Sequence, residues 1–276
     1  MTRYALGPWP LGRWLLLGLM AWSVVAGLAG CASRPGGQAG TQPDILTESD
    51  EPEGRKRARI RMELAVGYFE QGQTKIALDE LKQVIQLDPS FPDAYNLRGL
   101  IYMRLNDFSQ AEDSFRRAIA LNPRDANAHH NFGWLLCQRE RYPESFTQLD
   151  LAMANPLYGE RAKTLMAKGL CQARAGLRAE AEQSLARSYE LDAGNPITGY
   201  NLANLLFQRG EFTRAQFYIR RLNNTELANA ESLWLGVKVE RRLNDRVAMQ
   251  QLGEQLRKRF PQSREAGAYG RGAFDE

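Results

Sequence analysis

The sequence predicts an all-α protein, a solenoid of six helix-turn-helix repeats, on three observations. Small residues recur at Ala65, Gly99, Gly133, Gly169, Ala203 and Gly236, a period close to 34 residues. A second series follows twelve residues behind in the same register: Ala77, Ala111, Ser145, Ala181, Ala215 and Ala248. Between the two, Gly72, Asn106, Gly176 and Gly210 share a turn position that calls for positive φ, which glycine and asparagine tolerate best.

Each unit reads as two helices. In the second, Tyr95, Gly99 and Tyr102 fall at helical spacing, Asn106-Asp107 interrupts, and Ala111, Phe115 and Ala118 resume the pattern. Pro89 and Pro123 stop the second helices of their units, since proline cannot continue the hydrogen-bond ladder. The small residues belong where two helix axes cross closely. The units fall at 58–91, 92–125, 126–159, 162–195, 196–228 and 229–262, inside a repeat region of 55–262 with a C-terminal tail at 263–276. Two extra residues near Asn155-Pro156-Leu157-Tyr158 separate the third unit from the fourth.

Tyr95, Gly99, Tyr102, Ala111, Phe115, Ala118 and Pro123 together resemble the tetratricopeptide repeat, all on its signature positions. The resemblance implies a right-handed α-solenoid whose first helices line a concave groove. The fifth unit departs from the pattern, with Leu222 and Leu227 where the small residue and the proline would stand.

Composition narrows the function. Of 276 residues 43% are hydrophobic and 25% charged, as in folded proteins. The formal charge of +4 includes Arg3 and Arg13 of a leader, without which 34 basic side chains face 32 acidic ones. That balance does not describe a nucleic-acid binder. With two His and three Cys, ligands for a transition metal are few, and His129 and His130, being adjacent on a helix, point about 100° apart. No phosphate-cradling glycine loop, nucleophile elbow or metalloprotease helix motif occurs. The expectation is a protein that is not an enzyme, with no catalytic residue, metal site, cofactor or small-molecule substrate.

The first thirty residues read as an address. Arg3 and Arg13 precede an uncharged apolar run from Trp14 to Gly30, a positive n-region and an h-region, short for a membrane span. Residues 1–30 are therefore expected to be a cleaved signal peptide rather than an anchor. Leu28-Ala29-Gly30-Cys31 resembles the lipobox of bacterial lipoproteins, which implies that Cys31 carries acyl chains and tethers the protein to a membrane. Ala32 after the cysteine implies the periplasmic face of the outer membrane. Residues 31–54, rich in Gly, Pro, Ser, Thr, Gln and acids, read as a flexible tether. The basic run Arg55-Lys56-Arg57-Ala58-Arg59-Ile60-Arg61 reads as a solvated helix face, the alternative being a phosphate or anionic-lipid contact.

Two cysteines remain, Cys137 and Cys171, on the first helices of consecutive units. They are either unlinked buried thiols or, in an oxidising periplasm, a disulfide; the expectation is the disulfide. On the tetratricopeptide template, the inner face falls to Met62, Val66 and Phe69, then Asn96, Leu100 and Met103, then His130 and Trp134. This mostly apolar stretch suits an extended apolar peptide or strand. Lys163, Arg174, Glu240 and Arg241 are expected to make the far end more polar.

Further stretches carry a narrower resemblance: Asn131-Phe132-Gly133-Trp134-Leu135-Leu136-Cys137-Gln138, Ala154-Asn155-Pro156-Leu157-Tyr158, Ala230-Glu231-Ser232-Leu233-Trp234-Leu235-Gly236 and Arg259-Phe260-Pro261. They resemble the outer-membrane tetratricopeptide lipoproteins of type IV pilus biogenesis, the PilF/PilW group. The resemblance implies a monomeric pilotin whose groove binds secretin subunits and promotes their outer-membrane localisation and multimerisation. Cysteines at both positions are also a feature of that group. A lipid-anchored scaffold for another envelope assembly is the alternative the same fold allows.

Overall fold

The computed structural model describes residues 51–274, and every regular element among them is an α-helix. Cys31, the leader and nearly all of the tether lie outside the described residues. Twelve helices form six hairpins. These are α1 (Glu53–Glu70) with α2 (Thr74–Leu87), α3 (Pro92–Arg104) with α4 (Phe108–Leu121), and α5 (Ala126–Gln138) with α6 (Tyr142–Ala154). Then come α7 (Arg161–Arg174) with α8 (Arg178–Leu191), α9 (Pro196–Gln208) with α10 (Phe212–Asn223), and α11 (Ala230–Arg242) with α12 (Arg246–Arg259).

Local chemistry sets the boundaries. Asp107, Asp125, Asn195, Asn229 and Asp245 cap the helices they precede, each accepting from a backbone N–H of the first turn that has no partner inside the helix. Within the hairpins, Gly72, Gly176 and Gly210 adopt φ of 77°, 79° and 80°, and Asn106 adopts 59°. The third and sixth hairpins reach the same conformation with Glu140 and Asn244, at 60° and 59°. The turn geometry is thus kept in all six units, even by a glutamate that bears the left-handed strain.

The small-residue series marks the closest helix contacts. A Cβ added to Gly99 would stand 2.5 Å from the Phe115 ring, and one on Gly133 or Gly169 would stand 2.7 Å from Leu149 or Leu185. Each large partner lies sixteen residues downstream, on the second helix of the same hairpin. In the other series, Ala77, Ala111, Ala181 and Ala215 are fully buried. Ser145 replaces alanine there at no polar cost, because its hydroxyl donates to the Gly133 carbonyl at 2.7 Å.

The odd-numbered helices also pack on one another, α1 on α3, α3 on α5, α5 on α7 and α9 on α11, whereas the even-numbered ones make no comparable contact. The array therefore curves with the odd-numbered helices on its inner side. α1 begins inside the span expected to be tether, its first turns fixed by Arg55 to Asp88 at 3.0 Å and Arg59 to Glu51 at 3.3 Å. Arg61 pairs with Glu80 at 2.8 Å, so most of the basic run is tied down by acids on an exposed helix face. No helix among the described residues is long and apolar enough to cross a membrane.

The expected tail at 263–276 is instead a thirteenth helix followed by a short return. Ser263 caps α13 (Arg264–Arg271), which packs on α11 and α12 in the place the first helix of a seventh unit would take. Its Tyr269 ring lies against the backbone of Gly253, where any side chain would collide. Gly272 at φ 67° then turns the chain so that Phe274 stacks on Trp234, centroids 5.6 Å apart. Gly267 and Gly270 hide this helix from propensity; tertiary packing makes it.

Gly99→Leu is expected to cost about 1–3 kcal/mol by overpacking. Urea denaturation followed by circular dichroism checks this, the native spectrum remaining helical.

Candidate peptide-binding groove

The inner side presents the residue that follows the small position in the first five units, Val66, Leu100, Trp134, Leu170 and Asn204, whereas Val237 of the sixth is fully buried in the core shared with α13. Val66 is open to solvent. Met62, Phe69 and Leu100 are half-buried against the core of the first hairpins, and Met103 packs on the cluster of Phe115 and Leu135. Phe69 is covered further, since the Arg104 guanidinium sits 3.9 Å from its ring centroid and donates to its carbonyl at 2.8 Å. Asn96 accepts from Asn131 at 3.0 Å, a bond between neighbouring inner helices. The inner side chains of units one and two thus spend much of their surface holding helices together.

An apolar hollow lies farther along the inner side. Between α5 and α7 a cavity of about 300 Å³ is lined by Trp134, His130, Met166, Leu170, Lys163 and the exposed Ile197 of α9. Arg174 lies 5.4 Å over Trp134 at its edge. Of the residues singled out in the sequence, the structure brings His130, Trp134 and also Lys163, expected at the far end, into this cavity, and leaves the other six inner-face residues along α1 and α3. Met166 and Ile197 were missed; Leu170 was legible, since it holds the register position of Leu100 and Trp134.

Both histidines serve packing. His129 Nε2 lies 3.0 Å from the Pro123 carbonyl and its Nδ1 lies 2.7 Å from the Gln148 side chain. His130 Nδ1 meets the Thr164 hydroxyl at 2.8 Å, and Thr164 in turn meets Tyr158 from the inserted loop at 3.0 Å. Burial, with a smaller push from Lys163, lowers the His130 pKa from 6.5 to about 4. The ring is neutral at pH 7 and adds no charge to the cavity. Among the described residues no group of three or more His, Cys, Asp and Glu side chains has the geometry to hold a metal ion.

Cys137 and Cys171 are joined by a disulfide between α5 and α7, with Cα atoms 5.8 Å apart. The far end also needs correction at α11. Glu240, expected in the groove, points the other way: it is fully buried against α10, bonded to Arg220 at 2.6 Å and to Gln216 at 2.8 Å. On an amphipathic template only helical rotation separates the two faces, and Glu240 sits one position before the inner-facing Arg241. Arg241 lies 4.4 Å from the Phe274 ring.

Comparison with known proteins agrees with this architecture. Tetratricopeptide-repeat profiles match residues 67–106, 92–125 and 114–146. The chain is 28% identical over 243 residues to the type IV pilus assembly protein PilF of Pseudomonas aeruginosa, covering 88% of this chain and 93% of that one. Among solved structures it resembles PilW, described as a widely conserved type IV pilus biogenesis factor, with a TM-score of 0.70 and 30% identity over 76% of this chain and 97% of that one. The solved structure of Pseudomonas aeruginosa PilF gives a TM-score of 0.72 and 28% identity, covering 80% of this chain and all of its own.

A buried neutral His130 ties stability to pH. Because its folded pKa is depressed, its contribution is complete above pH 6.5 and is lost as pH falls toward 4, about 3 kcal/mol in all. Denaturation curves between pH 7 and 4 should show His130→Gln losing less stability than the parent over that window.

Proposed function

The chain belongs to the PilF/PilW family of tetratricopeptide-repeat proteins, and from that premise we propose that it is a non-enzymatic outer-membrane lipoprotein of type IV pilus biogenesis. In this reading it is a pilotin: it binds secretin subunits through the concave face and promotes their localisation and multimerisation in the outer membrane. The observation that carries the reading is the apolar cavity beneath Trp134 on the inner side of the array. A secretin subunit crossing an aqueous compartment has unpaired apolar strands to protect, and an apolar groove covers such a segment.

The lipobox-like Leu28-Ala29-Gly30-Cys31 supplies the other half of the mechanism. Acyl chains on Cys31 would give the complex membrane affinity, so that carrier and cargo travel together. A disulfide between Cys137 and Cys171 fits an oxidising periplasm. Binding to the groove needs neither metal nor cofactor.

Two substitutions test the parts separately. Trp134→Glu should weaken secretin binding at least about tenfold and reduce secretin multimers on a gel, with the helical spectrum unchanged. Cys31→Ser should leave the repeats folded and soluble while secretin multimers fail to reach the outer-membrane fraction. Normal multimers after deletion of the gene would move the protein to another envelope assembly.

A further inference from the structure

The concave face changes chemistry along its length. Past the cavity at Trp134 comes a second hollow of about 320 Å³, where Arg174, Asn201, Asn204 and Gln208 replace apolar side chains. The Asn204 and Gln208 amides have no partner among the described residues. Beyond them α11 contributes Lys238, whose position is unusual for this array.

The inner helices meet along a seam. The residue four places after the small position of one unit faces the residue two places after it in the next. Cys137 and Cys171 hold these two places between α5 and α7, and Phe207 and Lys238 hold them between α9 and α11. In the earlier units the second place is Ile101, Leu135, Cys171 and Leu205, all buried and uncharged. Lys238 therefore puts a cation where its counterparts are apolar. Its ammonium lies 5.8 Å from the Phe207 ring and 5.7 Å from the Trp234 ring.

No carboxylate among the described residues pairs with Lys238 or with Arg174. Burial alone lowers the Lys238 pKa, with no acid to offset it. Ring faces attract a cation but do not replace a counter-ion, because a ring carries no net charge to neutralise it. By contrast, the buried Glu240 has its cation in place at 2.6 Å.

We propose that the C-terminal half of the groove takes an acidic, extended peptide segment. An apolar side chain of the segment seats against Trp134 and Leu170, and carboxylates farther along meet Arg174 and Lys238. Asn204 and Gln208 bond its backbone between those points. Neighbouring helices pack about 8–10 Å apart, so two steps from α7 to α11 span roughly six extended residues, which sets the spacing of the acids. The proposal rests on the concave face being the docking face and specifies the chemistry of what docks there.

The test uses the purified protein with its disulfide intact and fluorescent decapeptides of alternating leucine with glutamate, or leucine with glutamine, read by anisotropy. The glutamate peptide should bind about five- to tenfold more tightly than the glutamine peptide, the preference shrinking as salt rises. Arg174→Gln combined with Lys238→Gln, checked as folded by circular dichroism, should erase the preference while leaving glutamine-peptide binding intact. Equal binding of the two peptides, both lost in Trp134→Ala, overturns the acidic preference and leaves the groove standing. A preference that survives the double substitution also overturns it. Binding of neither peptide, or binding indifferent to Trp134, overturns both the preference and the groove.

Discussion

The structure depends on the backbone contact inside each hairpin. Where Gly99, Gly133 or Gly169 lacks a side chain, the facing Phe115, Leu149 or Leu185 presses directly on the inner helix. Close-packed interiors admit no extra methyl group at such a point, so the residue type there fixes how nearly the two axes approach. The same contact fixes the rotation of the inner helix. With one face turned to the outer helix, the residue after the glycine is turned toward the concave side. That is why Leu100, Trp134 and Leu170 recur in one register.

Charge follows a division between the two sides. Glu112 lies between Arg116 and Arg141, each at 2.7 Å, and these bonds hold its carboxyl below the usual range despite partial burial. Glu240 is fully buried, yet two bonds from Arg220 and one from Gln216 satisfy its oxygens, so desolvation is largely compensated. These networks join one hairpin to the next across the outer layer. On the inner layer the cations lie on rings, Arg174 over Trp134 and Lys238 between Phe207 and Trp234.

The repeat was legible because its causes are local. A glycine forced by close approach or positive φ leaves a trace at a nearly fixed interval, and six units in register make a pattern. What the sequence hid was decided by contacts distant along the chain. α13 contains two glycines and exists because Tyr269 finds the bare backbone of Gly253. The register of the inner face was readable in α1 and α3, but not that Arg104 would cover Phe69 or that Met103 would sink between helices. Glu240 and Arg241 are consecutive, and the partners that let Glu240 be the buried one, Arg220 and Gln216, stand 20 and 24 residues away on α10.

The position of the disulfide bears on how the groove works. Cys137 and Cys171 lie on the two helices that flank the Trp134 cavity, so the bond holds α5 and α7 together where an apolar side chain would enter. Closing a loop of 34 residues restricts the unfolded chain by an amount worth about 3–4 kcal/mol in the chain-entropy model. For binding, its effect on the folded state matters more. A cavity between two helices free to slide would have to be ordered by its guest, at a cost in affinity, whereas a bonded pair presents the cavity already shaped. The neutral His130, held by Thr164 and through it by Tyr158, fixes the same wall without bringing a charge into it. Rigid floor and neutral His130 together favour burial of an apolar side chain at this one point, while the cations farther along that lack a carboxylate partner choose among the sequences that follow it.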